Sequence, residues 1–296
     1  MNRRSMITTT SCGIAVLLVA GMIPVHAQEA GPMRPAAPAT LPVPMPVNKP
    51  EPPPVPPEEI IRRFAAKEDE MLRASQGYGF QKSVRLEEIG PDNKVSGQLE
   101  IVTQQFVGPD GRRYEKPVHR SASTLQYLQA ERGDSDLIAS TPLFPLTTSQ
   151  LPKYEITFQG KQPLDELSVY IFAVKPRAVD RAHAYFSGVV WVDEQDLVIV
   201  KTIGKWVTET GDVTSSVLPF AVFETYRQQV GKNLWLPSYS RSDETIPADK
   251  TTLPVRVIIR WTDYTPAGAQ PASPPSGEKP SNKFLAGSRS EIRVNN

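Results

Sequence analysis

The chain has one cysteine and three histidines in 296 residues, and almost no charge bias, with 33 Lys and Arg against 32 Asp and Glu. Each shortage removes a class of function. Cys12 lies in the first stretch of the chain, so the remainder has no thiol for a disulfide framework, a nucleophile, a thiolate metal site or a lipid anchor. His119 and His183 are far apart in sequence and stand in no metal-ligand spacing, so neither a metal nor a cofactor is expected. Near-neutral charge gives no general attraction to nucleic acid.

The familiar catalytic patterns are also missing. Ser187 is in no GxSxG elbow, and Gly77-Tyr78-Gly79 lacks the further glycines and the lysine of a phosphate loop. The carboxylate pairs Asp193 with Asp196 and Asp243 with Glu244 occupy turn-like positions where Asp is favoured for backbone reasons. The chain is therefore expected not to be an enzyme.

Long hydrophobic runs are scarce as well. The one at the start, Cys12 to Ile23, follows Arg3 and Arg4 and precedes Val25-His26-Ala27, the pattern of a secretory signal peptide over residues 1–27. It is too short for a good membrane span. Export to the periplasm is expected, in a form that is soluble or transiently membrane-associated. Without the leader about 269 residues remain, with 31 basic against 32 acidic residues.

Proline, by contrast, is abundant. Twelve of the 30 prolines fall between Pro32 and Pro57, which predicts an extended spacer over residues 28–57. Such a segment can also dock an envelope protein partner. The composition returns to Ala, Pro, Ser and Gly beyond Pro266, which predicts a flexible tail over 266–296.

Between these ends, residues 58–265 read as mainly β. Pro57-Glu58-Glu59 opens an amphipathic helix with Ile60, Ile61, Phe64, Met71 and Leu72 on one side and Arg62, Arg63, Lys67, Glu68 and Glu70 covering the others; Gly77 and Gly79 end it. Strand patterns follow at Tyr78 to Ile89, Val95 to Val107, Tyr154 to Gln159, Leu167 to Val174, Val217 to Gln229, Leu234 to Asp243 and Leu253 to Tyr264. Ser121 to Arg132 is expected to form a short helix. Asp134 to Lys153, apolar but broken by Pro142, Pro145 and Pro152, is expected to cover the sheet, with Leu143, Phe144 and Leu146 as candidate cover residues.

The stretch from Tyr185 to Trp206 organises the rest. Two runs rich in β-branched and aromatic residues flank the break Asp193-Glu194-Gln195-Asp196, the pattern of a central hairpin. Val190 and Phe186 share one face and Val189 and Trp191 the other, so both faces require cover. In the last strand Val255, Val257, Ile259 and Trp261 alternate with Arg256, Arg260 and Thr262, giving one dry face and one wet one. At least eight strands with short turns predict a curved antiparallel sheet or incomplete β-barrel with a few covering α-helices. If the sheet bends around its apolar side, Leu99, Ile101, Phe172, Val190, Trp191 and Trp261 are candidate cargo-lining residues.

The segments Phe186 to Trp206, Phe223 to Ser240 and Val255 to Tyr264 resemble the LolA/LolB-like superfamily of outer-membrane lipoprotein-sorting-like periplasmic proteins. The resemblance spans roughly Glu58 to Tyr264. It implies an unclosed barrel with helices over its opening that holds lipid or acyl chains, or the acyl groups of a lipoprotein, by reversible enclosure and without bond chemistry. Partners would then be lipid or an acylated protein, with peripheral membrane contact and a monomeric state. The competing reading is a non-catalytic cell-envelope interaction or scaffold module with a solid β core.

Overall fold

The computed structural model describes residues 52–128, 143–212 and 218–269. The expected leader, most of the proline-rich spacer, Pro142 and nearly all of the tail lie outside the described residues. The chain opens with α1 (Pro57–Ser75), which has proline in its first turn, where no backbone donor is needed, and Glu58 and Glu59 beside the positive end of the helix dipole. Glu59 accepts hydrogen bonds from Arg62 and Arg63 at 2.6 Å on the exposed side. Ile60, Phe64 and Ala65 are fully buried, and burial of a side chain the size of Ile or Phe contributes about 1.5–3 kcal/mol. The helix ends at Ser75, with the Gly77 amide bonded to the Ala74 carbonyl.

Among the described residues eleven strands follow: β1 (Tyr78–Ile89), β2 (Val95–Val107), β3 (Arg113–Arg120), β4 (Tyr154–Leu164), β5 (Leu167–Pro176), β6 (Tyr185–Asp193), β7 (Ile199–Thr208), β8 (Gly211–Asp212), β9 (Phe223–Gln229), β10 (Trp235–Ala248) and β11 (Thr251–Pro266). They form one curved antiparallel sheet in the order β3-β2-β1-β11-β10-β9-β7-β6-β5-β4, with β8 added beside β7. Among the described residues β3 and β4 do not pair with each other, so the sheet stays open. The edge strand β3 is mostly exposed and carries Lys116 and Pro117, features that discourage edge-to-edge pairing.

Register fixes two continuous faces. Phe172, Val190, Thr202, Thr225, Ser240, Ile259, Val84 and Ile101 are successive cross-strand partners and share the inner face, the one under α1. One residue along, Ile171, Trp191, Lys201, Tyr226, Tyr239, Arg260, Ser83 and Val102 share the outer face.

The central hairpin forms as expected. The Asp193 carboxylate accepts the Gln195 and Asp196 amides at 3.0 and 2.7 Å, and Leu197 takes φ 52° to complete the turn. Gly188 and Gly204 face each other across β6 and β7; a Cβ on Gly188 would meet the Ile203 carbonyl oxygen at 2.1 Å, so only glycine fits.

The sequence misplaced three features. Ser121 to Leu128 is not helical: the Ser121 and Thr124 amides bond the Glu100 and Gln98 carbonyls along β2, and the Glu88 carboxylate captures the Gln126, Tyr127 and Leu128 amides at 2.7–3.0 Å, bonds a helix would have had to forgo. α1 is the single α-helix among the described residues, accompanied by the 3-10 turns Leu151–Lys153 and Ala267–Ala269, where a few helices were expected. Glu68, assigned to the solvated side of α1, is 1% exposed.

Candidate functional site

The inner face is apolar at both ends and polar in the middle. At the β4–β7 end, Tyr154, Tyr170, Phe172, Val174, Phe186, Val190 and Ile199 pack beneath Ile60, Phe64 and Ala65 of α1. The Phe64 ring meets the Phe172 ring edge-on at 5.7 Å. At the other end, Val84, Leu86, Leu99, Val257, Ile259 and Trp261 form a second cluster, covered by Leu128, Leu218 and Phe220. Thr202, Thr225 and Ser240 separate the two, with the Thr225 and Ser240 hydroxyls 2.8 Å apart.

Beside this hydroxyl strip lies the strongest electrostatic feature of the interior. Arg227 of β9 donates to both carboxylate oxygens of Glu68 on α1. It also donates to the Ile199 carbonyl of β7 at 3.2 Å and to the Leu143 carbonyl at 2.7 Å, and its guanidinium lies 4.7 Å from the Phe144 ring centre. One side chain therefore ties two strands, the helix and the start of the apolar segment over the sheet. Burial pushes the Glu68 carboxyl up while Arg227 opposes it, and the net direction is upward.

Five of the six candidate lining residues share the inner face. Phe172 and Val190 lie under α1, whereas Leu99, Ile101 and Trp261 belong to the second cluster, across the hydroxyl strip. Trp191 does not join them. Neighbouring residues on a strand point to opposite faces, so with Val190 inside, Trp191 packs outside with Val169, Ile171, Val189, Val198 and Val200. There the Lys201 ammonium lies 4.9 Å from the Trp191 ring centre and 4.6 Å from that of Tyr226.

The cover candidates spread along the helix. Leu146 is fully buried in the first cluster, Phe144 packs with Met71, Leu234 and Leu236, and Leu143 touches the second cluster.

Glu68 and Arg227 were missed in sequence, although the helix carries a signal. Ile60, Phe64, Glu68 and Met71 follow the 4, 4, 3 spacing of one helix face, which puts a carboxylate on the apolar stripe. Arg227 has no such mark, since β9 alternates polar residues on both faces.

Of the carboxylate pairs, Asp243 lies on the outer face bonded to Arg241 and Arg256, and Glu244, as its neighbour on the strand, points inward. His183 bonds Asp180 on an exposed loop. Among the described residues no group of His, Cys, Asp and Glu is placed to hold a metal ion, and no helix is long and apolar enough to cross a membrane.

No family model and no curated protein matches the sequence. The chain is similar to several solved structures at low identity. A DUF1329 family protein from Desulfovibrio piger is 13% identical, with 71% of this chain and 95% of that one covered at a TM-score of 0.31. The MucA/MucB complex of Pseudomonas aeruginosa gives 14% identity, coverage of 69% and 98%, and a TM-score of 0.22. A LolA superfamily protein from Nitrosomonas europaea gives 11%, 67% and 92%, and 0.26. The open antiparallel sheet with a helix laid across it does agree with the architecture that the LolA/LolB-like resemblance implied.

Proposed function

We propose that the protein is an exported, periplasmic carrier that encloses lipid or the acyl chains of a lipoprotein against the inner face of its sheet, making and breaking no bond. The observation that carries this reading is the fastening of the cover. α1 and the Leu143–Leu146 segment lie over an apolar face, and the Arg227–Glu68 pair ties both to the sheet at one buried site, so the cover has a discrete latch as well as apolar packing. Apolar contacts are non-directional and worth about 25 cal/mol per Å² whichever surface supplies them, so acyl chains can replace the underside of the cover at little net cost. A latch of hydrogen bonds and charge supplies the directional term that apolar exchange lacks.

The test is native mass spectrometry of the protein purified from periplasm, with solvent extraction of whatever it carries, and titration with a fluorescent acyl probe. Co-purified lipid or acylated peptide, together with probe binding that Val190→Asp abolishes in a protein that remains folded, supports the carrier. A clean apo mass and no probe binding refutes it.

A second reading has its own observation. Phe172 and Val190 are 0% exposed and Leu99 1%, so each is wholly packed against other protein groups. That favours a non-catalytic envelope scaffold with a solid core, reaching a partner through its proline-rich segment. On this reading Val190→Asp unfolds the domain, because the buried charge has no partner, and no acyl probe binds the parent.

A further inference from the structure

A second polar cluster lies on the inner face, near the end of α1. Trp261, Lys82 and Thr103 are successive cross-strand partners on β11, β1 and β2; the next row holds Phe80, Gln105 and Glu115. Arg113 closes this end by donating to the Ser75 carbonyl of α1 at 2.8 Å, its guanidinium 5.4 Å from the Phe80 ring centre. Lys82, Gln105 and Trp261 are only 6, 2 and 2% exposed.

The Lys82 ammonium lies 3.2 Å from the Glu115 carboxylate, and with the Arg113 guanidinium at the same end the site holds two positive charges and one negative. Burial pushes the Glu115 carboxyl up, but Lys82 and the polar side chains around it outweigh burial and keep it below the usual range. Buried groups beside this pair without a hydrogen-bond partner include the acceptor Oε1 of Gln105, the donor Nε1 of Trp261 and the Thr103 hydroxyl. Leaving such groups unsatisfied costs about 1–3 kcal/mol each, so a donor and an acceptor presented together by one ligand would be rewarded twice. The rows that follow along the same face, Val84 with Ile101 and Ile259, then Leu86 with Leu99 and Val257, are entirely apolar. The face is thus amphiphilic along its length, a polar end with charges of both signs leading onto an apolar floor.

We infer that this end is the head-group subsite of the carrier, built for a zwitterionic phospholipid head that has N–H donors, namely phosphoethanolamine. The inference rests on the carrier reading above. Phosphate oxygens accept from Lys82 Nζ and Trp261 Nε1, while the ammonium donates to Gln105 Oε1 and to Glu115. An anionic phosphoglycerol head can offer a hydroxyl to Gln105 but brings no positive charge to Glu115, which its phosphate meets as a like charge. A phosphocholine head has the charge balance but no N–H to give.

The test is displacement of a fluorescent acyl probe from the full chain by lysophospholipids of equal chain length that carry ethanolamine, choline or glycerol heads. One charge-assisted hydrogen bond corresponds to about ten-fold in affinity, so the ethanolamine lipid should displace the probe at about one-tenth the concentration the other two require. Gln105→Leu should bring the ethanolamine lipid level with the choline lipid, each measured relative to the variant's own probe affinity. Trp261→Phe keeps an aromatic side chain, smaller than the indole, and removes the N–H, and should weaken all three lipids by a similar factor. Equal displacement by the three lipids in the parent overturns the subsite and leaves the carrier standing, as does a preference for ethanolamine that survives Gln105→Leu. Absence of any probe binding overturns the carrier reading and this subsite with it.

Discussion

Replacing Arg227 by Met leaves the Glu68 carboxylate 1% exposed and without its counter-charge, and strips a donor from the Ile199 and Leu143 carbonyls. Breaking a buried ion pair from one side costs about 3–5 kcal/mol, against a total domain stability of about 5–15 kcal/mol. For a folded region of this size the melting temperature should fall by about 6–20 °C. The two single variants should differ in their response to pH. In Arg227→Met the carboxyl loses the partner that opposed its burial, so its folded pKa rises still further above the unfolded value. A carboxyl raised in the folded state binds more protons folded than unfolded, so stability falls as pH rises and is regained as pH drops through the folded pKa. Arg227→Met should therefore be far weaker at pH 8 than at pH 5. Glu68→Gln strands a guanidinium that does not deprotonate, so acidification should recover nothing. The double variant Glu68→Leu with Arg227→Met removes both charges and should return to within about 1 kcal/mol of the parent or exceed it. Urea denaturation of the parent and the three variants at the two pH values measures these differences directly. If Arg227→Met loses less than about 1 kcal/mol and responds to pH as the parent does, the pair is no latch.

Three further outcomes follow from the same geometry. Glu88→Gln weakens the carboxylate's hold on the Gln126–Leu128 amides, for a loss of about 1.5–3 kcal/mol, and hydrogen exchange at those three amides should quicken; unchanged protection there would mean that the carboxylate does not anchor the segment. Gly188→Ala drives a methyl into the Ile203 carbonyl oxygen and the Gly204 Cα, both backbone atoms, and should cost about 1–3 kcal/mol or more in thermal melts; a neutral result would show that β6 and β7 separate easily. The hydroxyl of Tyr170 donates to Glu194 and that of Tyr185 to Asp180. Burial and then Glu194 raise the Tyr170 phenol to about 12, and Asp180 and then burial raise Tyr185 to about 12. Since unfolded tyrosine ionises near about 10, the stability these phenols contribute is complete below that value and declines as pH rises through about 12. Ultraviolet titration combined with Phe substitution should place Tyr170 and Tyr185 among the late tyrosinates of the folded protein, and their ionisation at the ordinary value would refute the assignment.

The parts of this fold that could be read in advance are those where one residue's neighbours in sequence decide its environment. β1 and β2 begin and end where the apolar runs and the Gly90–Asn93 and Gly108–Gly111 turns place them, and the alternation of Val255, Val257, Ile259 and Trp261 against Arg256 and Arg260 became the inner and outer faces of β11. What could not be read is set by pairing across the sheet. Alternation within β5 or β11 gives two faces without saying which is inner, and only the register chain from Phe172 to Ile101 puts β5 and β2 on one surface. The Ser121–Leu128 stretch misled for the same reason: its helical pattern is local, whereas the Glu88 carboxylate that straightens it comes from another strand. Glu68 and Arg227 are 159 positions apart and make sense only together, since either one alone on that face would be an uncompensated buried charge. The electrostatics of this interior are therefore a property of topology: the latch and the polar end around Lys82 exist because β9 reaches α1 and β3 reaches β1 through the sheet.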